Sequence, residues 1–294
     1  MKPRFDPRLA IVVAVVSISF ASIFIKWSES DALTIAAYRL GFATLILLIP
    51  TFLLNRQELF GLSRKEFVVL ALVGIALAFH FGFWISSLKH TTVANSVLLV
   101  STHPILVGII SHYYVRERIT LIAGVGVGIA LIGMIIIGSS DLALSPEFLL
   151  GDVLALLGMF ALAAYLLSGR KIRQKTSVLP YVTVVYGIAA VCLFIGCFIF
   201  GAQLIPNQGQ EWILFLALAI VPTIFGHTVY NWTLKYVTTL IVSMSILFEP
   251  ILSAIFATFL LVPAEIPSIW VLSGGILILV GIYFVASRSR SNGN

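Results

Sequence analysis

His103 and Glu249 are each followed by a proline, Pro104 and Pro250, and each lies near the middle of a long apolar run. A proline inside a helix leaves the carbonyl four residues back without its donor, which here means Val100 and Ile246. A titratable group beside a freed carbonyl, twice, can bind a polar substrate or pass on a proton, and histidine titrates near neutral pH. The competing reading is a pair of structural kinks with internally satisfied side chains. Two more stripes carry polar chemistry. His80 and Trp84 stand four residues apart and share a helix face, as do His227, Tyr230 and Asn231 at spacings of three and four. They line a cavity in one reading. In the other, Trp and Tyr are interfacial belt residues and the histidines bond a neighbouring helix. Asn95, two turns before His103, and Ser245, one turn before Glu249, extend the two proline-bearing faces, and Tyr165 is a further cavity candidate. Arg39 either snorkels to the interface, pairs with Glu29 or Asp31, or holds an anionic substrate.

Other chemistries find no support in the residues. The sequence has no GxSxG, HExxH or phosphate-loop lysine motif. Gly124, Gly126 and Gly128 form a GxGxG, but no βαβ context surrounds it, so Gly124-x₃-Gly128 is expected to serve close helix packing, with Gly274, Gly275 and Gly281 as its counterpart. Cys192 and Cys197 do not make a CxxC and are expected to be small core residues. No cofactor, metal or nucleic acid is expected.

The elements that must position these groups follow from composition. The chain has 294 residues, 60% hydrophobic and only 10% charged, with a mean hydropathy of +1.09. Soluble domains are about 25% charged. Lipid, unlike water, accepts apolar outer faces, and a helix crosses it with about 20 apolar residues. Apolar runs cover residues 9–27, 33–54, 67–88, 93–115, 119–138, 149–169, 179–201, 212–235, 239–262 and 266–286. The breaks fall at Ser28-Glu29-Ser30-Asp31, Asn55-Arg56-Gln57-Glu58, Arg116-Glu117-Arg118, Ser139-Ser140-Asp141 and Pro206-Asn207-Gln208-Gly209. The expected fold is therefore all-α and integral to the membrane, with ten transmembrane helices. Met1-Lys2-Pro3-Arg4 before the first run resembles a signal peptide, but no small-x-small site follows, so the run reads as an uncleaved first helix.

With the N-terminus inside, every lysine and arginine except Lys26, Lys89 and Arg39 falls on the inner side, so both termini are expected in the cytoplasm. The chain also repeats. Leu88-Lys89-His90-Thr91-Thr92 answers Leu234-Lys235-Tyr236-Val237-Thr238 at an offset of 146, and His103-Pro104-Ile105-Leu106 answers Glu249-Pro250-Ile251-Leu252. Two residues further out of step, Glu117, Gly126 and Gly133 answer Glu265, Gly274 and Gly281. Residues 1–141 and 142–294 then form two five-helix repeats in one membrane domain. An odd helix number per half makes the repeat inverted, a plan common in secondary transporters, whose sites lie near the midplane.

These residues resemble the drug/metabolite transporter superfamily, EamA type. The resemblance rests on Leu88-Lys89-His90, Leu234-Lys235-Tyr236, Pro104, Glu249-Pro250, Glu117 and Glu265. Arg39-Leu40-Gly41-Phe42-Ala43 is similar to the family's second-helix motif, and Gly226-His227 through Asn231 to its eighth helix. It covers almost the whole chain in two copies. It implies a ten-helix, basket-like bundle around a central cavity, helices five and ten packed at the back, and ATP-independent movement of small metabolites, often amino acids. The family's tryptophan-glycine element in the first helix is replaced by Ser19-Phe20-Ala21-Ser22, and His103 stands where the second half has Glu249.

The expectation is a secondary active or facilitative transporter, an exporter of small metabolites, multi-pass in the cell (cytoplasmic) membrane. Its partners are a small-molecule substrate and the lipid bilayer, and it is a monomer or a homodimer. An intramembrane enzyme acting on lipid or peptide, or a non-transporting receptor or assembly partner, are the alternatives.

Overall fold

A computed structural model describes residues 6–106, 121–173, 176–233, 236, 245–246 and 248–287. All regular structure among the described residues is helical. In chain order the helices are α1 (Pro7–Ser19), α2 (Ala21–Trp27), α3 (Ala32–Phe60), α4 (Arg64–His90), α5 (Val93–Val100), α6 (Leu121–Leu144), α7 (Pro146–Arg173), α8 (Val178–Phe200), α9 (Gln210–Leu218), a π-helical segment (Ala219–Thr228), α10 (Val229–Thr233), α11 (Phe248–Leu260) and α12 (Ile269–Ser287). Arg116-Glu117-Arg118, Leu234-Lys235 and Val237-Thr238 lie outside the described residues.

Six helical stretches are long and apolar enough to cross a membrane: Leu9–Trp27, Ala32–Phe60, Arg64–His90, Pro146–Ser168, Val178–Phe200 and Gln210–Thr233. Four shorter apolar helices accompany them: Val93–Leu106, Gly124–Ile137, Phe248–Leu260 and Ile269–Phe284. The polarity of the bundle is inverted relative to a soluble protein. Phe198 is 74% exposed and Leu53 79%, whereas Arg39 is 0% exposed and His80 3%. Only a lipid surround makes that arrangement favourable, because it removes the penalty on outward apolar side chains and drives ionisable ones inward.

Local chemistry sets most helix ends. Ser63 and Glu66 form a reciprocal capping box at the start of α4. The Thr92 hydroxyl accepts from the Asn95 N–H to start α5. Gly201 ends α8 in the left-handed region, at φ 68°, where a side chain would be strained.

Two expected breaks are helical instead. Asn55-Arg56-Gln57-Glu58 stays within α3, with one non-helical residue at Asn55, because long polar side chains suit a helix that projects beyond lipid. Ser139-Ser140-Asp141 lies within α6. The stop there is Ser145-Pro146: the Ser145 hydroxyl accepts from the Phe148 N–H at 3.4 Å, and Pro146 occupies a first-turn position where its missing N–H costs nothing.

The principal helix pairings are α6 with α12, α4 with α7, α3 with α8, α4 with α8, and α1 with the π-helical segment, and α5 also meets α7 and α11. Small residues bring α6 and α12 together, though not the pair the spacing predicts. Nothing lies within 4 Å of a Cβ placed on Gly124 or Gly128, whereas one on Gly281 would stand 2.5 Å from the Gly126 carbonyl oxygen. One on Gly274 would stand 2.7 Å from that of Gly133. The x₃ spacing identifies a face of α6, but Gly126 and Gly133 occupy the face that meets α12.

Candidate functional site

The chemistry-bearing residues converge in the interior, and Arg39 is at their centre. It lies seven residues into α3, about 10 Å along the helix at 1.5 Å per residue. The snorkelling and Glu29/Asp31 readings do not hold: Arg39 is fully buried, Asp31 accepts from the Gln203 N–H and Glu29 from the Gln208 side chain. The Arg39 Nε–H donates to Thr223 Oγ1 at 2.8 Å. The Thr223 hydroxyl in turn donates to the Leu218 carbonyl five residues back, at 2.8 Å. This i−5 bond belongs to the π-helical segment, a departure from α geometry that is frequent at functional sites. Arg39 Cζ lies 4.3 Å from the centroid of the Phe81 ring and 5.8 Å from that of Trp84, both on α4.

Around this guanidinium stand the titratable residues. His80 and Trp84 do share a face and are stacked, with centroids 6.0 Å apart and planes within 3°. His80 Nδ1 meets the Gly158 carbonyl on α7 at 3.0 Å. A carbonyl can only accept, so Nδ1 carries a proton and the neutral ring keeps its acceptor at Nε2. His227 approaches Phe81 edge-on at 5.5 Å. Arg39 interacts electrostatically with Glu249, and His80 with both Arg39 and His103. His227 senses Arg39 and His80.

Pro104 follows an interruption in its helix. α5 stops at Val100 and helical structure resumes at His103, after a turn through Ser101 and Thr102. The buried His103 ring places Nδ1 3.2 Å from the Val100 carbonyl, the group Pro104 deprives of its usual donor. The kink and its satisfaction are thus one unit. Residues 245–246 and 248–260 are helical, with Glu249 half-buried and Pro250 buried.

The eighth-run stripe divides. Asn231 Nδ2 donates to the Tyr165 hydroxyl at 3.0 Å and to the His227 carbonyl at 2.8 Å, tying α10 to α7. Tyr230 lies about 100° away around the helix. It packs among Ile11, Ala14, Val15 and Ile18 of α1, and its hydroxyl is 3.2 Å from Ser245 Oγ. Asn95 is buried on α5. The sequence did not single out Phe81, Thr223 or Tyr186. The buried Tyr186 hydroxyl meets Thr228 Oγ1 at 3.2 Å. A buried cation was the available signal for all of them, since it requires rings and hydroxyls close by.

One end of the bundle is laced shut. Lys26 Nζ lies 3.0 Å from Glu265 Oε1 and donates to the Thr91 carbonyl at 2.9 Å. Glu265 Oε2 accepts from the Val93 N–H at 2.7 Å. The Glu211 carboxylate accepts from the Ser28 and Ser30 hydroxyls and the Glu29 N–H, and Lys89 Nζ donates to the Ser28 carbonyl. The cleft at this rim, lined by Glu29, Asp31, Gln203 and Glu211 among others, contains none of the interior residues.

Comparison with known proteins agrees with this architecture. A protein of Archaeoglobus fulgidus named only as an uncharacterized transporter is 25% identical over 294 residues, spanning 99% of this chain and 100% of its own. The uncharacterized transporter YyaM of Bacillus subtilis is 23% identical over 84% of this chain and 82% of its own length. YxxF of the same organism, likewise an uncharacterized transporter, is 22% identical over 79% and 74%. A solved crystal structure sharing 18% identity superimposes with a TM-score of 0.67 over 97% of this chain and 99% of its own, which shows a common fold. The EamA-like transporter family pattern matches residues 8–139 and again 149–287. The chain thus belongs to the EamA-like transporter family and is a multi-pass membrane protein.

Proposed function

We propose that this protein is a secondary active or facilitative transporter that exports small metabolites such as amino acids across the cell membrane by alternating access. The observation that carries the reading is the convergence of Arg39, His80, His103, His227 and Glu249 inside a bundle with apolar outer faces. Ionisable residues within a membrane are expensive and mark solute or proton pathways by default. Glu249 and His103 bind the substrate or couple protons, and His80, Trp84, Asn95, Tyr165, His227, Tyr230, Asn231 and Ser245 line the route.

The machine has ten helices, five in each inverted half, with both termini in the cytoplasm. The two family matches of similar length support this. So do the helix pairings: α4 with α7 and α1 with the π-helical segment are the two contacts that one pseudo-two-fold axis would exchange. The interruption of the fourth run before His103 also fits the discontinuous helices on which transporters build their sites.

The test is counterflow of labelled amino acids into proteoliposomes. Wild-type protein is expected to exchange at least one of them saturably, and Glu249→Gln and His103→Ala to abolish or alter that exchange while remaining folded and monodisperse. Wild-type-like transport by both variants would remove the site assignment. No counterflow of any amino acid or related metabolite by the wild-type protein would overturn the transporter reading.

A further inference from the structure

We propose that the two Nη groups of Arg39 form a buried fork that binds the carboxylate of a small monoanionic or zwitterionic solute. This names the substrate class of the interior site and rests on the transporter reading above.

Arg39 is 0% exposed, and neither Nη1 nor Nη2 has a hydrogen-bond partner among the described residues. A guanidinium holds its proton, so a full positive charge with free N–H groups sits in a region where an uncompensated charge is strongly disfavoured. Glu249 is within electrostatic range, yet no ion pair joins the two among the described residues.

The geometry then sets how a ligand can approach. Thr223 spends its only hydroxyl hydrogen on the Leu218 carbonyl, so its oxygen can only accept from Nε–H. Phe81 and Trp84 lie against the guanidinium. Nε and the rings fix the plane, and the Nη1–Nη2 edge is left with its donors. That edge matches the two oxygens of a carboxylate. The Trp84 Nε1–H is a further buried donor without a partner among the described residues. Charge argues for a monoanion: one carboxylate neutralises one guanidinium, whereas a dianionic phosphate would leave excess negative charge near Glu249. Glu249 is in turn placed to compensate an ammonium group, which favours an amino acid over a simple acid.

The test uses purified full-length protein in detergent and thermal unfolding as the readout, which needs no transport. The probes are the amino acids and simple monocarboxylates, each paired with its carboxamide, and sodium chloride as a generic anion. At least one carboxylate is expected to raise the unfolding temperature saturably, as a ligand of the native state must, with its amide and chloride inactive at the same concentration. Arg39→Lys keeps the charge but loses the fork and is expected to bind about tenfold more weakly, the loss of one charge-assisted hydrogen bond. Arg39→Gln is expected to abolish the response. Should Arg39→Gln not fold, Thr223→Val frees the guanidinium plane while keeping the cation, and is expected to weaken carboxylate binding while chloride stays inactive. Equal response to acid and amide, equal response to chloride, no response to any carboxylate, or full affinity in Arg39→Gln would overturn the proposal. Carboxylate-specific binding without counterflow would leave this site standing and remove the transporter reading. Counterflow of solutes lacking a carboxylate, unaffected by Arg39→Lys, would do the reverse.

Discussion

The seam between α6 and α12 makes a quantitative prediction. A Cβ on Gly274 would stand 2.7 Å from the Gly133 carbonyl oxygen and 2.8 Å from Ile137 Cγ1, and ordinary contact begins at 3.4 Å. Gly274→Ala therefore forces the helices apart by roughly 0.6–0.7 Å at that point, because the obstructing oxygen is backbone and has no rotamer to adopt. Overpacking of this kind costs about 1–3 kcal/mol. Alanine returns roughly 0.5–1 kcal/mol through helix propensity, so the net expectation is a loss of about 1–2 kcal/mol. Gly124→Ala is the control. It lies on the same pair of helices with nothing within 4 Å of the added methyl, so only the propensity gain remains. The measurement is equilibrium unfolding of each variant in mixed detergent micelles. Gly274→Ala should be the less stable of the two by about 1.5–3 kcal/mol. Gly133→Ala, whose Cβ would meet the Gly274 carbonyl at 2.5 Å, should behave likewise. The double variant should lose less than the sum, since the first methyl already opens the contact the second needs. Equal stability of Gly274→Ala and Gly124→Ala would refute the reasoning, and with it the assignment of Gly126 and Gly133 as the packing face.

Two further outcomes follow from named contacts. Lys26 and Glu265 have side chains 22% and 23% exposed, so their pair is worth more than a surface one; Lys26→Ala should cost the closed end about 1–2 kcal/mol. Amide hydrogen exchange at 90–93 and 261–268 should then rise about 5–30-fold, and unchanged exchange would show that the contact is not a latch. Tyr165→Phe removes an acceptor from Asn231 and should destabilise by about 1 kcal/mol. A double-mutant cycle with Asn231→Ala should give a coupling energy of at least about 0.5 kcal/mol, and additivity would rule out the bond.

The membrane class was fully legible in the sequence, because twenty-residue apolar runs have few other uses. Helix ends were less so. Ser139-Ser140-Asp141 looked like a break by polarity, but Ser and Asp are tolerated in a helix, and only Ser145-Pro146 supplies both a cap and a missing donor. The site was legible in its elements and not in its centre. His80 with Trp84, and His103 with the carbonyl that Pro104 frees, follow from spacing alone. The sequence leaves Arg39 open between an interfacial cation and a substrate ligand, because a one-dimensional depth cannot tell an inward helix face from an outward one. Its partner Thr223 was also out of reach, since i, i+4 arithmetic does not apply in a π-helical turn.

That wider turn bears on why the interior is asymmetric although the helix pairings look balanced. In the fourth run, the interruption before a proline is closed by its own neighbour: His103 Nδ1 meets the Val100 carbonyl, so the proposed substrate or proton role falls to Nε2. In the eighth run, the π-helical segment turns Thr223 toward another helix, where it fixes Arg39 through Nε and leaves the Nη groups with their donors. Glu249 is the carboxyl within electrostatic range of this charge, and no ion pair joins the two among the described residues. On the proposed carboxylate site, the Arg39 fork and the Glu249 carboxyl would act as a pair of half-sites. A solute carrying both charges would then satisfy both at once, and a solute carrying neither would satisfy neither, which is the selectivity that the carboxylate and carboxamide probes test.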